Sequence, residues 1–291
     1  MISRLTSRIG IFLLLFAACA SSAYAQMPRE RANQDGPVDE VFWAPSLILT
    51  SNVTNLDKNN LDFTIKHAFG IATNGADDLF GLDAAANIRF GLDYGITDRF
   101  SVGFGRSRFD KLYDFRTKVN VLRQTQDDRV PVELALMGNA GIMTLKNGFD
   151  FNDRLSYATS LMIARKFSDR MSLQIAPIFT HFNLVTIERD AEENIVREMH
   201  EHLAVAFGGQ FGLTERMALI VEYIPVFSDR SDGTQDALSI GLDIETGGHV
   251  FQLFFTTSQG MTEQHVIARN VDQFFDGDFR FGFNVHRVFS F

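Results

Sequence analysis

The chain has 291 residues, with 27 Lys or Arg against 36 Asp or Glu and a formal net charge of −9. An acidic chain of this kind is a poor match for a phosphate backbone, which excludes nucleic acid as a partner. Its 29 Phe against 5 Tyr and 1 Trp suit a wall facing hydrocarbon better than one facing water.

The first residues read as an export signal. Arg4 and Arg8 supply a basic start, Ile9 to Ala18 a short apolar run, and Ala23-Tyr24-Ala25 a small-x-small cleavage pattern, so residues 1–25 are predicted to be removed before Gln26. The apolar run is too short to cross a bilayer as a helix, which takes about 20 residues, and no other segment comes close. Cys19 is the only cysteine. With it gone, disulfides, thiolate metal sites and cysteine nucleophiles are excluded from the mature chain. A rival reading takes Phe16-Ala17-Ala18-Cys19 as a lipoprotein box with lipid on Cys19.

Residues 26–40 are polar and carry Pro28, Gly36 and Pro37, which reads as a flexible leader. Val41 to Leu49 is apolar but holds Pro45, and could form a short strand, a periplasmic segment or part of a plug. Residues 26–60 are therefore set apart as an N-terminal periplasmic leader or partial plug, and 61–291 as the barrel.

From Leu61 onward, apolar residues recur at every second position in segments of roughly ten, the signature of strands with two unlike faces. Leu61, Phe63 and Ile65 alternate with Asp62, Thr64 and Lys66. Ala86, Ile88, Phe90, Leu92 and Tyr94 alternate with Asn87, Arg89, Gly91 and Asp93. The rhythm continues to Phe279, Phe281, Phe283 and Val285, which oppose Arg280, Gly282, Asn284 and His286. Twelve such segments are predicted, joined by short and long connections in strict alternation. Three short ones repeat a motif: Thr97-Asp98-Arg99, Ser168-Asp169-Arg170 and Thr214-Glu215-Arg216. Backbone polar groups cannot stay unpaired in hydrocarbon, so the sheet must close on itself. The fold class expected is all-β: a closed antiparallel transmembrane β-barrel of about twelve strands, with short periplasmic turns and long external loops, in the outer membrane of a Gram-negative cell. A soluble sandwich would show the same periodicity; the export signal, the Phe-rich face and the loop asymmetry favour the barrel. Its predicted partners are outer-membrane lipid, the barrel assembly machinery and small solutes.

The residues expected to face the lumen are Arg89, Asp93, Asp114, Arg116, Lys118, Glu222, Asp243, Glu245 and Arg280, either lining an aqueous path or knitting the lumen shut. At the carboxyl end, Phe281, Phe283, Phe289 and the terminal Phe291 form the aromatic alternation expected of an assembly signal. The stretches FGLDAAANIRFGLDYGITDRFSVGFGRSRFDK, DIETGGHVFQLFFT and GDFRFGFNVHRVFSF resemble an uncharacterised outer-membrane β-barrel family, a domain of unknown function. The likeness covers most of Leu61–Phe291 and implies fold and location, with no activity to carry over.

Motifs for chemistry are thin. Gly103-x-Gly105 lacks the third glycine and the helix of a dinucleotide loop, and reads as inward glycines making room. Asp229, Asp232 and Asp236 have the wrong spacing for a calcium loop. His200 and His202 flank Glu201 in an acidic loop with Glu188, Asp190, Glu192, Glu193 and Glu198, and could share a divalent ion only if they project together. No serine motif accompanies His67 or His181. No catalytic, cofactor-binding or metal-binding residue is assigned, and no enzymatic activity is expected. The functional expectation is a narrow porin-like channel for small solutes, with residues 41–49 partly occluding it. The alternatives are a closed structural or adhesion barrel acting through its external loops, or a membrane-embedded hydrolase.

Overall fold

The computed structural model describes residues 36–146, 148–185, 187–189 and 195–291. The segment read as an export signal, Cys19 and the start of the leader lie outside these residues, as do Asp190, Glu192 and Glu193.

Twelve strands form the wall. They are β1 (Asn60–Ile71), β2 (Asn87–Thr97), β3 (Phe100–Ser107), β4 (Leu112–Leu122), β5 (Glu133–Met143), β6 (Leu155–Ser168), β7 (Met171–Phe182), β10 (Glu201–Gly212), β11 (Met217–Ile224), β12 (Ala237–Glu245), β13 (His249–Thr256) and β14 (Arg280–Ser290). Each pairs antiparallel with its neighbours, and β14 returns to β1 to close the barrel. A small hairpin, β8 (Ile187–Arg189) with β9 (Ile195–Glu198), stands apart in the β7–β10 connection.

The faces follow the period of two. Along β1, Asp62, Thr64 and Lys66 are buried, while Phe63 and Ile65 between them are half-buried. Phe90, Leu92, Phe115, Leu136 and Leu253 point outward, with Phe115 58% exposed. Such a belt would cost about 25 cal/mol for each Å² kept in water, and hydrocarbon removes that cost.

The repeated turn motif has a common mechanism. The backbone N–H of Arg99, Arg170 and Arg216 donates to the hydroxyl of Thr97 (3.2 Å), Ser168 (3.3 Å) and Thr214 (3.3 Å), two residues back in each case.

One expectation is corrected. Connection lengths do not alternate strictly. At the end carrying the long loops, β3 and β4 are joined by residues 108–111 alone, a tight turn with positive φ at Asp110 (53°) and Lys111 (45°). At the opposite end, residues 123–132 are longer than a turn requires, because they hold the incoming chain. Val38 N–H donates to Gln124 O (2.8 Å) and Gln126 N–H to Gly36 O (3.0 Å).

The inner face is not polar throughout. Met137, Met162, Ile178, Ile220, Ile224 and Phe254 face inward and pack with Phe42, Leu47, Ile48, Leu49, Val53, Val266 and Ile267. These residues form a hydrophobic core inside the barrel. Alternation along a strand fixes which side chains point inward and carries no information on what fills the inside.

Candidate functional site

Residues 38–56 enter the lumen from the short-turn end, double back, and leave at the start of β1. The reversal is a hairpin tip. Ser46 bridges Ser51, and Leu47 N–H donates to Thr50 O (2.9 Å). Pro45 suits this bend, since it brings no N–H that would need a partner. Leu47, Ile48, Leu49 and Val53 are fully buried. Leu47 rests where Gly208 leaves the wall bare; a Cβ there would collide with it.

The wall grips this plug by its main chain. Glu222 on β11 accepts from the N–H of Leu49 (2.7 Å) and of Thr50 (3.1 Å), and from the Thr50 hydroxyl. Lys66 on β1 donates to the carbonyls of Ile48 (3.3 Å) and Leu49 (3.2 Å). Lys118 on β4 donates to the carbonyls of Pro45 and Asn52, both at 3.2 Å, and of Thr54. Gln174 accepts from Val53 N–H (3.0 Å), and Asn284 donates to Ile48 O (2.8 Å). A buried backbone group left without a partner costs about 1–3 kcal/mol, so this network is what lets irregular chain lie inside a barrel.

From the long-loop end, residues 257–279 fold inward over the plug. Their short helix, Glu263–Ala268, is buried along its whole length. Glu263 accepts from both the N–H and the hydroxyl of Ser51 (3.0 Å each), so plug and lid meet at the hairpin tip. His265 reaches Asp110 (3.1 Å) on the β3–β4 turn. Burial alone would raise the Asp110 carboxyl, but the bond to His265 and its charge hold it below its ordinary value. Arg280 anchors the returning chain through Asp272 (2.6 Å).

The charged residues expected in the lumen divide by partner. Arg89 forks onto Asp114 (2.9 and 2.6 Å), and Arg116 reaches Asp93 (3.3 Å). Gly103 and Gly105 make this possible, since a Cβ at either would strike the Asp93 or Arg89 side chain. Lys118 and Glu222 hold the plug. Asp243 accepts from Gln210 (2.7 Å) and Gln252 (3.1 Å) rather than from a cation. Glu245 sits half-exposed at the rim, bonded to Gly247 N–H.

Residues not selected from sequence complete the site: Asp62, paired with His286 (2.8 Å), then Lys66, Glu263 and Asp272. Asp62, Lys66 and His286 were visible as inward positions. Glu263 and Asp272 lie in a loop without periodicity, and no local signal marks them.

Of the assembly-signal residues, Phe281 and Phe283 join an outward aromatic strip with Phe69, at 5.9 and 6.3 Å between ring centroids. Phe289 is exposed, and Phe291 N–H donates to Asn59 O (3.2 Å) across the closing seam. His200 stacks on His181 (5.7 Å) while His202 is buried. Among the described residues, no group of three or more His, Cys, Asp or Glu is placed to hold a metal.

A family model described as "Membrane bound beta barrel domain (DUF5777)" matches residues 42–289. No curated protein matches the chain. Solved structures of similar shape include a NanC porin, at 7% identity and TM-score 0.48, with 78% of this chain and 98% of that one covered. The CymD monoaromatic hydrocarbon channel matches at 9% identity and TM-score 0.38, covering 82% and 90%. LpxR from Salmonella typhimurium matches at 13% identity and TM-score 0.36, covering 79% and 100%.

Proposed function

Since the chain belongs to the family of membrane bound beta barrel domains, we propose that it is an outer-membrane barrel in which residues 41–56 gate a narrow path for small solutes. The observation that carries this reading is how the plug is held. Glu222, Lys66 and Lys118 grip it through backbone atoms. A plug that never moves could be satisfied by neutral groups alone, as Gln174 and Asn284 do for Val53 and Ile48, without the cost of burying charge. Buried charges facing a removable segment instead provide a wall that water can wet once the segment moves. Nothing in this mechanism requires enzymatic chemistry.

Single-channel recording in planar bilayers tests the proposal. The native barrel should open infrequently and narrowly. With Ser46→Cys and His286→Cys joined by a short bis-maleimide, openings should cease, while the untreated double variant keeps them. Ser46 Oγ lies 3.1 Å from His286 Nε2, so the tether spans a contact already made. A native barrel that never conducts would overturn gating.

That outcome would favour a closed barrel acting through its loops. One observation speaks for it: Leu79 and Phe80 sit at the long-loop end with positive φ (47° and 55°), 58% and 63% exposed. Strained, exposed apolar residues often mark contact surfaces.

A further inference from the structure

Between the plug and the β1–β4 wall lies a small cavity, lined among others by Asn55, Asp62, Lys66, Arg89, Arg116 and Lys118. Its volume is about 20 Å³. One water-sized occupant needs roughly 10–15 Å³, so there is room for a single small species.

Four buried polar atoms of this lining have no hydrogen-bond partner among the described residues: Arg89 Nη1, Arg116 Nε, Asn55 Nδ2 and Asp62 Oδ1. Arg89 and Asp62 are 1% and 0% exposed, so solvent cannot serve them. Buried polar atoms are nearly always satisfied, and four orphans around one void point to an occupant. Three of the four are N–H donors, two of them on guanidiniums that stay charged. What is missing is chiefly an acceptor.

The ion pairs around the cavity leave these donors unmet. Asp114 takes the other side of the Arg89 fork, Asp93 takes Arg116, and Asp62 has His286. The Lys66 and Lys118 ammonium groups bond plug carbonyls and have no carboxylate within ion-pair distance among the described residues. Glu222 and Glu263 are taken up by N–H groups and hydroxyls of the plug tip.

We infer that this cavity binds one inorganic anion of halide size, held by Arg89, Arg116 and Asn55 between the plug and the wall. The site stands on the closed structure and does not depend on gating. Resting on the gated-channel reading, a second consequence follows: with the plug withdrawn, Arg89 and Arg116 remain on the wall and line the path, and small anions are the solutes it favours.

Crystals of the intact protein soaked in bromide test the site. An anomalous peak within hydrogen-bond reach of Arg89 Nη1 and Arg116 Nε is expected, and it should be lost in Arg116→Gln. Density there without anomalous signal would mean water, and would overturn the site. If the variant fails to fold, melting of the native protein decides. Its midpoint should rise with chloride and stay flat with gluconate at equal ionic strength, because only an ion that fits stabilises the folded form. Equal response to both salts counts against the site. Reversal potentials of native openings in a chloride gradient then test the path: anion preference supports it, and cation preference overturns that extension even where bromide is bound.

Discussion

Gly208 decides how closely the plug seats, because Leu47 packs into the space its missing side chain leaves. Gly208→Val should force the two apart. Overpacking of a filled core costs about 1–3 kcal/mol, enough to raise the open fraction on the order of tenfold. Open probability in planar bilayers measures it, and an unchanged value would show that Leu47 does not seat the plug. The inward glycines also show how far single residues can be read from sequence. Gly103 and Gly105 were legible as positions that make room. That the room serves Asp93 and the Arg89–Asp114 pair was not, since the ion pair that fills it depends on register across three strands. The candidate charges were recognised as inward in the same way, without their partners: Lys118 and Glu222 bond to a plug backbone that carries no side-chain signature.

At the scale of the strand, register makes a sharp contrast between neighbours. Leu242 points to lipid and pairs with Leu219 and Leu253, while Asp243 is buried inward between Gln210 and Gln252. Arg at a lipid-facing midplane position costs about 2–4 kcal/mol, so Leu242→Arg should destabilise the barrel in vesicles by that amount. Asp243→Asn keeps shape and polarity and gives up one acceptor, a loss of about 1 kcal/mol. Urea titration in lipid vesicles compares them. An equal or reversed order would mean the faces are assigned backwards, since a slip of one residue swaps them. Strands and their faces were legible because the period of two is local, as were the Thr97, Ser168 and Thr214 turns. The β4–β5 connection is longer than strict alternation predicts because its length serves the chain entering at Gly36–Val38, a contact remote in sequence.

Taken whole, the molecule is a lipid-facing wall around a polar and apolar filling supplied from both ends. The wall could be read from alternation. The filling could not: Leu49 meets Glu222 across 173 positions and Ser51 meets Glu263 across 212, and no periodicity spans such distances. The apolar run at Val41–Leu49 with its Pro45 hinted at a plug, but its depth and its grip are visible only in the fold. That the closed barrel holds this hairpin in its lumen is the claim on which gating and the anion site both lean. Hydrogen exchange of the plug amides in lipid tests it most directly. Leu49, Thr50, Ser51 and Val53 donate their N–H groups to Glu222, Glu263 and Gln174 in the buried interior. Their exchange should be slowed by orders of magnitude, close to that of the β11 strand beside them. Exchange at the rate of an unstructured peptide would place the hairpin outside the lumen and contradict it.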